Sequence, residues 1–116
     1  MKITVYEKPT CTTCKNLSKI LIEMGIDFDK VNYFIEPFTK TQLNSLLKKM
    51  NMKPSELIRE NEELYKKLKD KVQKMSENEI LDLMIENPEL IQRPIVEIGE
   101  RAILARPAER VKELFD

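Results

Sequence analysis

The feature that most constrains this chain is a pair of cysteines, Cys11 and Cys14, spaced three residues apart near the amino terminus. Residues 2–6 are β-prone and alternate weakly, which predicts a buried strand, and a proline-containing turn at residues 8–10 follows it. After the second cysteine, apolar residues recur at helical spacing as far as Gly25, a residue typical of a helix end. The cysteine pair is therefore expected at the junction between a strand and the helix that follows it.

The remaining β-prone segments predict an α/β fold. Residues 28–33 form a second strand, and a strand–helix–strand unit favours parallel pairing with a right-handed crossover. Residues 94–98 and 101–105 are β-like on either side of a tight turn at residues 99–100. A last helix opens at the next proline, and its residues expected to face inward are Val111, Leu114 and Phe115. This order predicts a thioredoxin-like, four-stranded mixed sheet surrounded by helices.

A helical insertion is expected in the middle of the chain, over residues 39–87. Two capping boxes mark helix starts, one formed by Thr39 with Gln42 and the other by Ser76 with Glu79. Neither a repeat nor a low-complexity linker interrupts this segment. We therefore expect one thioredoxin-like domain over residues 1–116 that carries an inserted helical subdomain.

Charge and composition narrow the classes of partner. Twenty Lys and Arg residues balance twenty Asp and Glu residues, so a general attraction to nucleic acid or to an anionic membrane is not expected. The 116 residues suffice for one hydrophobic core, and no apolar stretch approaches the length of a membrane span. The first residues are also too short to act as a secretory signal, so a soluble, cytoplasmic protein is expected.

The absence of histidine restricts the possible chemistry to the cysteines and other side chains. It excludes a Ser-His-Asp triad, a Cys-His pair and a histidine-ligated metal. Cys11 and Cys14 could form half of a zinc site, but neither Cys nor His remains to complete one, so no metal is expected. They could also be two buried structural cysteines, since free cysteine behaves as a small hydrophobic residue.

A redox or nucleophilic role is the interpretation that the position of the pair favours. The first turn of a helix presents unpaired N–H groups and a partial positive charge, which stabilise a thiolate and can hold an oxyanion. Cys11, nearer the helix end, is the predicted nucleophile. Cys14 lies one turn later, where it could attack an intermediate on Cys11 and close a disulfide, or could simply be packed in the core.

Several segments, in order along essentially the whole chain, resemble the ArsC/Spx family. They are residues 8–16 (KPTCTTCKN), 57–60 (LIRE), 87–96 (NPELIQRPIV) and 105–107 (ARP). The resemblance implies a thioredoxin-like fold with a helical insertion. One branch of the family contains glutaredoxin-coupled arsenate reductases, and the other contains Spx-type regulators that bind the RNA polymerase α subunit and carry a C-x-x-C redox switch.

In the reductase branch, the resemblance assigns the nucleophile to Cys11 and the oxyanion-binding arginines to Arg59, Arg93 and Arg106. Taken singly, each arginine would be interpreted as a solvated surface charge. Arginine is nevertheless suited to an oxyanion, because its planar guanidinium donates in a bidentate manner. By analogy with the fold, Pro94 is a candidate cis-proline that faces the cysteine.

The resemblance also implies the partners. The cysteine thiolate would attack arsenate or another small oxyanion, and a glutathione thiol would take the adduct onward before glutaredoxin or thioredoxin completes the reduction; no bound cofactor is expected. Glu7 stands where the reductases usually have histidine, and a carboxylate there would oppose thiolate formation. If the chain is instead an Spx-type regulator, its partner is the RNA polymerase α subunit.

Overall fold

The computed structural model describes residues 2–115, which form two compact units. The first unit contains the residues up to Glu36 and those from Arg93 onward, and the second is Pro37–Gln92. The predicted helical insertion, residues 39–87, lies within the second unit. The single domain over residues 1–116 stays a prediction. No helix within residues 2–115 is long and apolar enough to cross a bilayer.

A four-stranded mixed sheet forms the centre of the first unit. Its strands, β1 to β4, lie in the order β2-β1-β3-β4. Strand β1 pairs in parallel with β2, while the pairs β1–β3 and β3–β4 are antiparallel. The bounds of the strands are Ile3–Glu7, Asp29–Asn32, Ile95–Ile98 and Arg101–Leu104. The predicted βαβ unit and carboxy-terminal hairpin are both present.

Helix α1, Thr12–Glu23, packs its apolar face into the core of this unit. Burial alternates along β1, as expected for the two-residue period of a strand. The inward residues of β1 pack against this face of α1, together with residues from β3, β4 and the carboxy-terminal segment. The core consists of Ile3, Val5, Leu17, Leu21, Val96, Ile103, Ala105, Ala108, Val111 and Leu114. This packing holds the start of α1 beside the end of β1.

The second unit is helical, with helices α2 to α5 followed by a short 3₁₀ turn. Both predicted capping boxes are present, with Thr39 at the start of α2 and Ser76 at the start of α5. Each hydroxyl accepts a hydrogen bond from the third backbone N–H, and the third side chain accepts one from the backbone N–H of the cap. The elements are Lys40–Met50, Pro54–Leu57, Glu63–Val72, Glu77–Glu86 and the 3₁₀ turn Pro88–Leu90.

The carboxy-terminal segment differs from its prediction. Residues Ala108–Phe115 form 3₁₀ rather than α-helical structure, and Phe115 is exposed rather than inward-facing. The residues Val111 and Leu114 are three apart, so three residues per turn place both on the buried face. Phe115 follows directly after the second of them and is directed away from that face.

Candidate active site

Cys11 is the N-cap residue of α1. Its backbone is extended, with φ −79° and ψ 123°, and its Sγ accepts a hydrogen bond of 3.3 Å from the backbone N–H of Cys14. The backbone N–H of Cys11 in turn donates to the Lys8 carbonyl at 3.0 Å, which closes the turn between β1 and the helix. The sulfur therefore takes the place of the usual capping oxygen, at the positive end of the helix.

The environment of Cys11 lowers its pKa. Burial raises the pKa of the thiol, but hydrogen bonds from the side chain and backbone of Cys14 and the charge and hydrogen bond of Arg93 together outweigh it. The net pKa of Cys11 lies below its ordinary value. Because the residue is only half-buried, the resulting thiolate is also accessible as a nucleophile.

Cys14 has the opposite character. It is buried, and burial followed by the proximity of Cys11 raises its pKa to about 12, although the backbone N–H of Lys8 acts in the other direction. The charge of Glu7 raises it further. Neither cysteine is in a disulfide, so the pair consists of a cysteine of lowered pKa at the helix end and a buried cysteine of raised pKa behind it.

Arg93 is a buried arginine that interacts with Cys11. Its guanidinium carbon lies 5.9 Å from the centroid of the Phe34 ring, within the range of a cation–π contact. Its Nε and Nη1 atoms are buried and have no hydrogen-bond partner among the described residues. The peptide bond between Arg93 and Pro94, the candidate cis bond, is cis. Arg93, which interacts with Cys11, thus has two unpartnered donors that are available to an anion.

Arg106 connects the Arg93 segment to the start of α1. Its Nη1 donates to the Arg93 carbonyl at 3.0 Å and to Oγ1 of Thr13 at 3.3 Å. The side chain remains exposed, and the peptide bond between Arg106 and Pro107 is cis, a feature that the sequence did not indicate. Cys11, Arg93 and Arg106 are thereby brought together within the first unit.

Arg59 belongs to the second unit, where it follows α3. Its backbone N–H donates to the Leu90 carbonyl at 2.7 Å, and its Nε lies 3.6 Å from a carboxylate oxygen of Glu62. Its side chain is partly buried. Its assignment to the anion site stays a prediction.

Two residues of this region are not among the site residues that the sequence indicated. Phe34 lies beneath Arg93 and also beneath Lys8, whose Nζ is 4.9 Å from the ring centroid. Glu7 is buried, although the sequence marked it only as a departure from the family. The alternation of Ile3, Val5 and Glu7 along β1 was a signal for this burial, whereas nothing local indicated Phe34.

The described residues contain no cluster of three Cys, Asp or Glu side chains that could hold a metal ion. The site supplies a cysteine of lowered pKa, a second thiol and two guanidinium groups. This set is suited to nucleophilic attack on an electrophile that carries negative charge.

The sheet order, the helical insertion and the C-x-x-C motif at the start of α1 define a thioredoxin-like protein. The chain belongs to the ArsC family, whose model matches residues 6–114. It is 32% identical to the arsenate reductase of Escherichia coli over 97% of this chain and 80% of the relative. It is 28% identical to the global transcriptional regulator Spx of Streptococcus pyogenes over 81% of this chain and 70% of the relative.

A solved structure shows the same fold. The arsenate reductase from Vibrio cholerae superimposes with a TM-score of 0.90 and is 29% identical, covering 97% of each chain. The family and the thioredoxin-like fold expected from the sequence are thus confirmed. The relatives include both enzymes and regulators, so family membership does not distinguish between these two functions. The residues of the candidate site must be used for that purpose.

Proposed function

We propose that this protein is a thiol–disulfide oxidoreductase of the arsenate reductase type. Cys11 is the nucleophile, and the substrate is a small oxyanion such as arsenate. Arg93 and Arg106 bind the oxygens of the substrate, and Arg59 is added to this set on the family resemblance alone. The reaction needs no bound cofactor.

In the first step, the Cys11 thiolate attacks the arsenic atom. A sulfur–arsenic bond forms and an arsenic–oxygen bond breaks, and the departing oxygen takes up protons and leaves as water. Negative charge accumulates on the remaining oxygens as this happens. Guanidinium groups stabilise that charge by bidentate hydrogen bonds. The reaction barrier falls because these groups bind the transition state, where the charge is larger, more tightly than the substrate.

In the second step, another thiol attacks the sulfur of Cys11. A disulfide forms, and the electron pair of the sulfur–arsenic bond stays on arsenic, which is reduced from arsenic(V) to arsenic(III). The attacking thiol is either glutathione or Cys14. The resulting disulfide is then reduced by glutaredoxin or thioredoxin, which returns Cys11 to the thiolate.

The observation that carries this proposal is the state of Arg93. A buried guanidinium is costly unless its donors and its charge are satisfied, yet two of its nitrogens are unpartnered among the described residues. The charge and a hydrogen bond of Arg93 act on Cys11, which supports a role for this guanidinium beside the proposed nucleophile. An oxyanion bound beside the sulfur would supply both the missing acceptors and the missing negative charge.

The test is arsenate-dependent oxidation of glutathione in the presence of glutaredoxin and a glutathione-reducing system. Wild-type protein should turn over arsenate, and Arg93→Ala should lose at least about tenfold in kcat/KM, since a charge-assisted hydrogen bond contributes roughly 1.5–3 kcal/mol. Arg110→Ala is the matched control, because Arg110 is exposed on the carboxy-terminal segment and pairs with Glu113 at 3.4 Å. Absence of turnover by the wild type would reject the enzyme.

A regulator of the Spx type is the second candidate, and the Cys11–Cys14 pair favours it. A helix that begins at one cysteine and buries another could change conformation when the two are joined. Its partner would be the RNA polymerase α subunit. Capture of the carboxy-terminal domain of α only by the oxidised protein, with no arsenate turnover, would support this function in place of the enzyme.

A further inference from the structure

Phe34 follows the end of β2, at the edge of the sheet where the cysteine turn begins. The parallel pairing of β1 and β2 places Asn32, the last residue of β2, opposite Glu7, the last residue of β1. Because β3 is antiparallel to β1, its first residue, Ile95, lies near this same edge, and Arg93 precedes it by two positions. Phe34 and Arg93 therefore approach the end of β1 from the two strands that flank it.

The Phe34 ring is held by its own turn and by a core residue. The backbone N–H of Phe34 donates to Oδ1 of Asn32 at 3.0 Å. The backbone N–H groups of Ile35 and Glu36 donate to the Asn32 carbonyl at 3.0 Å and 2.9 Å. The ring stacks on that of Tyr33, which is fully buried, with the centroids 5.1 Å apart and the planes inclined by 23°. The ring thus has a defined position that no ligand is needed to create.

Two cations lie over this ring. The guanidinium carbon of Arg93 is 5.9 Å from the ring centroid, and Nζ of Lys8 is 4.9 Å from it. Both distances are within the range of about 6 Å over which an aromatic ring attracts a cation. The attraction strengthens when the cation is desolvated, and Arg93 is buried whereas Lys8 is only half-buried. The contact with Arg93 is therefore the one expected to contribute more.

An aromatic partner suits a guanidinium that must also bind an anion. A carboxylate would compensate the buried charge of Arg93 by occupying its N–H donors. An aromatic ring attracts a cation through its face, whereas the N–H donors lie in the guanidinium plane, so the ring leaves those donors available. The Nε and Nη1 atoms of Arg93 are buried and have no hydrogen-bond partner among the described residues. Phe34 therefore offsets part of the cost of the buried charge without using the donors.

We propose that Phe34 is a positioning residue for Arg93, whose guanidinium its ring holds in the position that acts on Cys11, with the N–H donors open to an oxyanion. The inference rests on the role that the proposed function gives to Arg93. Cys11 reports on this position without any substrate. Burial raises the pKa of Cys11, and the charge and hydrogen bond of Arg93 are among the causes that lower it.

The experiment measures the rate of Cys11 alkylation by iodoacetamide as a function of pH in the full chain. Phe34→Leu removes the ring and keeps an apolar side chain, and Phe34→Tyr keeps a ring. Replacement of Phe34 by trifluorophenylalanine nearly preserves its size and weakens the negative charge on the ring face. Phe28→Leu is the matched control, because Nζ of Lys30 lies 5.8 Å from the Phe28 centroid, a contact of the same kind in the same unit.

The proposal predicts that Phe34→Leu raises the midpoint of the alkylation profile. On the acidic side of the wild-type midpoint the rate should fall about threefold, less than in Arg93→Ala, because the charge is displaced and not removed. Trifluorophenylalanine should move the midpoint in the same direction, whereas Phe34→Tyr and Phe28→Leu should keep the wild-type value. In an Arg93→Ala background, Phe34→Leu should cause no further shift, because the ring acts through Arg93.

Several results would overturn the proposal. One is an unmoved midpoint in Phe34→Leu, and another is an equal shift in Phe34→Tyr or in Phe28→Leu. A shift that persists in the Arg93→Ala background, or that is abolished instead by Lys8→Met, would show that the ring does not act through Arg93. A merely structural role for Phe34 predicts no shift with trifluorophenylalanine. If Phe34→Leu does not fold, the trifluorophenylalanine variant, with and without Arg93→Ala, decides the matter.

The arsenate assay keeps the two proposals separable. In an active enzyme, Phe34→Leu should lower kcat/KM for arsenate by about threefold to tenfold, and Phe34→Tyr should retain it. Alkylation needs no arsenate, so a wild-type protein that does not reduce arsenate would reject the enzyme and leave the coupling between Phe34 and Arg93 intact. Conversely, arsenate turnover together with an unmoved Cys11 midpoint in Phe34→Leu would leave the enzyme intact and reject the positioning role.

Discussion

Removal of the Arg93 charge should weaken the Cys11 thiolate. Arg93 is buried, and both its charge and its hydrogen bond favour the ionised form of Cys11. A neighbouring opposite charge changes the free energy of ionisation of an acid by roughly 1.4–4 kcal/mol. Cys11 is only half-buried, so solvent screening puts the expected effect at the lower end, about 1.4 kcal/mol, which is about tenfold in the thiolate equilibrium.

The assay is the rate of Cys11 alkylation by iodoacetamide as a function of pH, followed by mass spectrometry. The midpoint of the wild-type profile should lie below that of a free thiol, near 8.5, and the midpoint of Arg93→Ala should lie above that of the wild type. On the acidic side of the wild-type midpoint, where rate is proportional to the thiolate fraction, Arg93→Ala should react about tenfold more slowly. Cys14 contributes little because it is buried and protonated.

Arg110→Ala is again the control, and its alkylation profile should match the wild type. It removes one positive charge from the same unit without touching the cysteines. A midpoint in Arg93→Ala that equals or falls below the wild-type midpoint would refute the reasoning, because the thiolate would then owe its stability to the helix start and Cys14 alone.

Three further predictions concern stability, each measured by urea unfolding. Leu17→Ala should lower the free energy of unfolding by about 2–5 kcal/mol, because Leu17 is fully buried in the core. Ile22→Ala, on the exposed face of the same helix, should change it by less than about 0.5 kcal/mol. Equal losses in the two variants would contradict the packing of this helix. Ser76→Ala should cost about 1 kcal/mol through loss of the 3.2 Å hydrogen bond from the Glu79 N–H, and Ser76→Asp should retain most of it; no loss would exclude the cap as a source of stability. Glu7 has a raised pKa in the folded protein, so its stabilising contribution is complete below about pH 4.5 and is lost as the pH rises through the folded value. Glu7→Gln should therefore gain stability relative to the wild type as the pH rises above about 4.5, and a gain independent of pH would contradict the burial of the charge.

Much of the fold follows from signals within short stretches of sequence. The capping boxes at Thr39 and Ser76 each involve residues three apart, so the contact partners lie inside one helical turn. The helix after the cysteine pair likewise ends just before Gly25, which has φ +71°. The prediction for Phe115 was wrong because helical periodicity does not distinguish α from 3₁₀ geometry over a few residues.

In the candidate site, too, local sequence signals predict some of the residues and not others. The position of Cys11 at the start of a helix depends only on the strand, turn and helix that surround it, and the sequence indicated it directly. The arginines could be selected from among many only through the family resemblance, since an isolated arginine has no local signature of anion binding. Phe34, which lies beneath Arg93, had neither kind of signal.

The sequence by itself determined the thioredoxin-like order of elements, the membership of the ArsC family and the position of the cysteines at the start of a helix. Each of these depends on short segments or motifs whose residues are close together in the chain. Only the tertiary structure decided that Arg93 interacts with Cys11, that Arg106 bonds to Thr13 and to the Arg93 carbonyl, and that Glu7 is buried. Those contacts arise from sheet pairing and from packing of α1, which join segments far apart in the chain, as the Arg106–Thr13 hydrogen bond at a separation of 93 shows. Periodicity records which face of an element is buried, but not which distant side chain it meets there.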